Sequence, residues 1–159
     1  MERRMFLRTA VVGSVASGIA GTAAAAEKYF PVKVDQTLFE NINRAKDPAN
    51  KAGLEKSHAP VLTASSSIEA GKSFTVEVAV GENLHPMGPA HWIEFIELRL
   101  GNQPIARADL QPAGYLAPKI TFNVVIPKEA APEGKATLVA RQNCNLHGLW
   151  EASINVTVS

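Results

Sequence analysis

The chain has four histidines and one cysteine, and all five fall within three short segments. These are Glu55-Lys56-Ser57-His58-Ala59-Pro60, His85-Pro86-Met87-Gly88-Pro89-Ala90-His91-Trp92 and Cys144-Asn145-Leu146-His147-Gly148-Leu149-Trp150. Imidazole and thiolate are the side chains that bind transition metals. A lone histidine is ordinarily a surface or satisfied core residue, and a lone cysteine is ordinarily a small buried hydrophobe. The grouping argues otherwise. Two residues separate Cys144 from His147, a spacing that lets a tight turn aim both at one ion. His85 and His91 bracket a Pro/Gly loop that can fold both imidazoles toward one point. No His or Cys is left over.

The donor set narrows the metal. Four imidazoles and a thiolate exceed the four ligands of structural zinc. Blue copper takes two His, one Cys and usually a weak Met, but no Met follows Cys144 and Met87 lies far upstream. The Cys-x-x-Cys-His signature of attached haem is absent. Iron accepts imidazole and thiolate together and tolerates five donors with one open position.

Such donors need a rigid scaffold that presents them from strand ends and loops. With 159 residues, 46% apolar and 19% charged, the chain is sized for one domain around one core. A single cysteine excludes an intrachain disulfide. No basic cluster with interleaved aromatics points to nucleic acid. After Pro60 the pattern turns to period two. Phe74, Val76, Val78 and Val80 alternate with smaller or polar residues, as do Ile120, Phe122, Val124 and Ile126, and then Ile154, Val156 and Val158. This is the mark of antiparallel strands with one buried face. Trp92–Leu100 and Ala136–Arg141 read as further strands. Turn signals stand at Ala70-Gly71, Gly101-Asn102, Pro112-Ala113-Gly114 and Pro132-Glu133-Gly134. About seven short strands at roughly ten-residue spacing predict an all-β, two-sheet sandwich over residues 54–159.

Residues 27–53 read as an irregular, partly helical N-terminal arm. A short helix is expected over Leu38–Arg44, capped by Asp35 and ended by Asp47-Pro48. Residues 1–26 read as a signal. Arg3-Arg4 precede Phe6-Leu7, a weakly apolar run follows, and Ala23–Ala26 offer a small-residue cleavage site. This describes a twin-arginine export peptide, and predicts a periplasmic or otherwise exported protein. Gly13, Ser14, Ser17 and Gly18 interrupt the run, which falls short of the roughly 20 apolar residues of a membrane span. The formal charge of +1 owes its sign to the arginines of this segment. The twin-arginine route carries folded proteins, often with a cofactor already inserted.

The second and third histidine segments closely resemble those of superoxide reductases, the family of neelaredoxin and the desulfoferrodoxin iron domain. The resemblance runs from about Leu54 to the C-terminus. It implies an immunoglobulin-like, seven-stranded antiparallel sandwich, in keeping with the strand count. It also implies mononuclear non-haem iron cycling between Fe2+ and Fe3+, with His58, His85, His91 and His147 equatorial and Cys144 axial. The implied reaction is one-electron reduction of superoxide to hydrogen peroxide, an antioxidant activity. With no second redox motif in the chain, the electron must come from an external redox protein. Relatives are dimers or tetramers, so a homo-oligomer is expected.

In that family a Glu-Lys-His segment serves the open position. The Glu closes it in the ferric state, and the Lys assists superoxide and proton delivery. Glu55 and Lys56 are therefore the catalytic candidates. Here Ser57 stands between Lys56 and His58, and in an extended segment a one-residue slip turns a side chain to the other face. Either Lys56 reaches the site from one position earlier or Ser57 has replaced the useful lysine. The departure keeps a second reading open, a non-enzymatic iron protein that transfers electrons or senses a small ligand. A cupredoxin-like copper carrier is a third, which the five donors and the missing Met disfavour.

Overall fold

The computed structural model describes residues 41–112 and 116–159. Strands β1 (Pro60–Ala64), β3 (Ser73–Val80) and β6 (Lys119–Val125) form one antiparallel sheet with β3 central. The other has five strands in the order β2 (Ser67–Ile68), β8 (Gly148–Val158), β7 (Lys135–Cys144), β4 (Ile93–Leu100) and β5 (Gln103–Asp109). Their inward side chains merge into one core, in which Val76, Val78 and Val80 meet Ile96, Leu98, Leu138 and Val156. Among the described residues no helix is long and apolar enough to cross a membrane.

The alternating segments are strands, as their period requires. Val76, Val78 and Val80 are fully buried while Ser73 and Thr75 face solvent. Strand β7 extends beyond the predicted Arg141, because its ladder with β8 runs on to the pair Cys144 and Gly148. Among the described residues there are eight strands where about seven are expected. The two-residue β2 adds a parallel edge on β8, too short to leave a pattern.

Two local expectations change. The helix read over Leu38–Arg44 is not formed in its described part. Residues 41–44 make a turn and then a single parallel bridge, Asn43 to Trp150. The Asn43 N–H donates to Leu149 O (2.8 Å) and its carbonyl accepts from Glu151 N (2.9 Å), so a sheet edge takes the groups a helix would use. Residues 38–40, Asp35 and the whole 1–26 segment expected to be a signal lie outside the described residues. The segment before His58, treated above as extended, is instead one helical turn, α1 (Glu55–His58). Consecutive side chains there turn by about 100° instead of alternating. Lys56 and His58 thus fall on roughly opposite sides, with Lys56 exposed and His58 buried.

Candidate metal centre

Three loops meet at one end of the sandwich. The hairpin between β7 and β8 brings Cys144 and His147 together. Its loop is Asn145-Leu146-His147, followed by Gly148 at φ +72°, the left-handed residue that closes three-residue hairpin loops. The 81–92 loop carries His85 and His91, and α1 carries His58. Gly81 lets the last two meet. Its φ is +82°, and a Cβ there would come within 2.7 Å of Ser57 O. Across this close approach Glu82 N donates to Lys56 O (2.8 Å) and Gly81 N to Ala59 O (3.1 Å).

The four imidazoles close a ring. Neighbouring rings are nearly perpendicular in the cycle His58–His85 (78°), His85–His91 (79°), His91–His147 (70°) and His147–His58 (79°). The opposed pair His58 and His91 lie only 29° apart. Inward nitrogens approach closely. His58 Nε2 is 2.9 Å from His147 Nδ1 and 3.2 Å from His85 Nε2, and His85 Nε2 is 3.0 Å from His91 Nε2. A square with an edge near 3 Å has its centre about 2.1 Å from each corner, the length of a metal–imidazole bond. Cys144 Sγ lies 3.1 Å from His91 Nε2 and 3.5 Å from His147 Nδ1. The donor atoms of His58, His91, Cys144 and His147 all fall within 4.8 Å of one another.

Outer hydrogen bonds set which nitrogen faces inward. His58 Nδ1 donates to Leu54 O (2.9 Å) and His85 Nδ1 to Pro86 O (2.6 Å). Each leaves an unprotonated Nε2 toward the centre, as ligand imidazoles require. His147 is turned the other way and offers Nδ1. Burial, opposed by the Leu54 carbonyl and aided by His147 and His91, lowers the pKa of His58. Burial lowers that of His85 to about 4, against the Pro86 carbonyl. His91 is lowered by burial and then by His147. Neutral rings bind a cation without first shedding protons. The donors present therefore fit a metal that takes imidazole and thiolate together. His58, His85 and Cys144 are buried at 1–2% exposure, whereas His91 and His147 are half-buried, so the centre opens toward solvent on their side.

The Glu55 carboxylate accepts from the backbone N–H of Lys46 and of Ala52 (both 3.2 Å), bracing the 46–52 loop. Lys56 is exposed, and its charge helps lower the pKa of Glu82 behind the larger effect of the Lys51 ion pair. Three positioning residues escaped the sequence reading. Gln142 Nε2, fully buried, donates to His58 O (2.9 Å). Asn145 accepts from Trp92 N (3.0 Å) and donates to Ala90 O (3.1 Å), tying the His91 loop to the hairpin. Trp150, given no role above, stacks on His58 with ring centroids 5.4 Å apart and donates from Nε1 to His147 O (3.2 Å).

Comparison with known proteins agrees with this geometry. The desulfoferrodoxin family model matches residues 50–153. The chain belongs to the desulfoferrodoxin family. A Methanocaldococcus jannaschii protein that carries the provisional name of superoxide reductase is 33% identical over 115 residues, 72% of this chain and 92% of its own length. The desulfoferrodoxin of Nitratidesulfovibrio vulgaris is 33% identical over 100 residues, and the match spans 64% of that protein. Among solved structures, the superoxide reductase (neelaredoxin) of Ignicoccus hospitalis is 32% identical, covers 76% of this chain and 97% of its own, and superposes with a TM-score of 0.62. In this desulfoferrodoxin-family chain the span matched by the family model contains all five donors.

Proposed function

We propose that the chain is a superoxide reductase whose iron is held by His58, His85, His91, His147 and Cys144. The closed ring of four imidazoles beside a buried thiol is the observation that carries this reading. Bound iron would supply the single electron, so that superoxide, one electron and two protons give hydrogen peroxide. The residues do the rest. Outer carbonyls hold His58 and His85 in the ligand tautomer, and the buried Cys144 sulfur donates electron density from the core side. Lys56 is exposed on the side of α1 away from His58, and its positive charge would draw in the anion at longer range. Glu55 braces the 46–52 loop, and closing an open iron position would require it to release both backbone N–H groups.

The finer fold belongs to the same reading: an immunoglobulin-like sandwich in which β2 is a minor edge. So do export through the twin-arginine pathway by residues 1–26, an external redox protein as donor, and assembly as a homodimer or tetramer. Ser57 before His58 favours the second reading, an iron protein that carries electrons or senses a small ligand without turnover. A visible spectrum of the oxidised, iron-loaded protein tests the centre. A thiolate-to-ferric band is expected in the wild type and absent in Cys144→Ser, and a wild type without that band would refute the iron-thiolate assignment. Slow oxidation of the reduced protein by superoxide in a sample that shows the band would favour the carrier reading.

A further inference from the structure

We propose that Asn43, in the N-terminal arm, is a positioning residue for the metal centre that fixes the turn bearing Cys144 and His147. Its backbone bridges the β8 edge through Leu149 and Glu151. Its side chain adds two bonds that no sheet register requires: Nδ2 donates to His147 O (3.2 Å) and to Leu149 O (3.0 Å). The first carbonyl belongs to the residue that offers Nδ1 to the centre. It also accepts from Trp150 Nε1 (3.2 Å), so the His147 backbone is gripped from two directions.

Gly148 lies between the two accepting carbonyls at φ +72°, a backbone conformation that favours a residue without a Cβ. The grip is itself anchored. Arg44, next in the arm, pairs with Glu151 Oε1 (2.7 Å), and Arg141 of β7 pairs with Glu151 Oε2 (2.7 Å). Through Glu151 of β8 the arm is thereby linked to Arg141 of β7, just behind the Cys144 and His147 turn. A half-buried ligand on a three-residue loop has few other restraints. Loss of the Asn43 amide leaves its imidazole freer to swing and the metal easier to release.

The inference rests on the iron reading, and the test separates the two. Ferrous iron is loaded into wild type, Asn43→Ala, Asn43→Asp and Asn155→Ala, and its transfer to a chelator is followed beside the visible spectrum of the ferric form. Asn43→Asp keeps side-chain size and the backbone bridge while removing the donor, so it carries the test if Asn43→Ala fails to fold. Asn155→Ala is the control. It deletes a comparable bond to Thr137 (2.8 Å) at the far end of the same hairpin. Both Asn43 variants should lose iron about tenfold faster than wild type, the lower end of what outer partners of a ligand contribute, with a displaced thiolate band. Asn155→Ala should match wild type. Wild-type release and an unmoved band in the Asn43 variants would overturn the inference, as would equal losses in Asn155→Ala. A wild type that takes up no iron would instead refute the underlying reading.

Discussion

The two halves of the metal centre are held in different ways. Cys144 ends a ladder that runs pair by pair from Lys135 opposite Thr157 to Cys144 opposite Gly148, and His147 sits in the short loop that this ladder closes. His58, His85 and His91 sit on segments without strand partners, tied to the hairpin and to each other by single hydrogen bonds from Gln142, Asn145 and the 81–83 backbone. The thiolate half inherits its order from the sheet. The three-histidine half depends on a few non-local contacts, and single substitutions should disturb it more than its burial suggests.

The largest break should come at Gly81. Gly81→Ala drives a Cβ into Ser57 O and forces a left-handed backbone on a residue with a side chain, which alone costs on the order of 1–3 kcal/mol. Urea unfolding should show that loss, and chelator titration should show iron affinity falling while the β7–β8 hairpin keeps its amide protection. Equal loss of protection in the hairpin would show that the halves are not separable. A smaller effect is expected for Asn145→Ala, which cuts two bonds between the halves and should cost about 1–2 kcal/mol. Half-buried His91 should then show the change first, as a broadened ring resonance.

The same contrast explains what was legible in the sequence. Strands β3, β6 and β8 alternate cleanly, and rare residue types in tight groups exposed the ligands. The four residues of α1 are too few for a helical period. Strand β5 has no buried residue, hence no pattern to find. Gln142, Asn145 and Asn43 are ordinary amides whose importance comes from partners distant in the chain, and spacing carries no trace of that. The described end of the helix expected over Leu38–Arg44 is not helical because Asn43 pairs with a sheet edge formed more than a hundred residues later. Glu55 and Lys56 were found as residues, but their directions depend on a helical turn the sequence does not announce.

Acid should loosen the histidine-rich half gradually. In the unfolded chain these rings take up protons near the ordinary value of 6.5, whereas burial holds His85 to about 4 and lowers His58 and His91 as well. The folded chain therefore binds fewer protons across that window. Stability that is fully present above pH 6.5 is lost as the pH falls through about 4. Urea midpoints of metal-free protein at pH 7, 5.5 and 4 should fall in that order, and a flat series would contradict the neutral, buried state of the rings.

The most direct measurement is rapid mixing of the reduced, iron-loaded chain with superoxide, following both loss of the ferrous state and formation of peroxide. Oxidation far faster than that of free ferrous ion, with peroxide formed in equal amount to the iron oxidised, is the predicted result. Oxidation no faster than that of the free ion would contradict the assignment of this centre as a superoxide reductase.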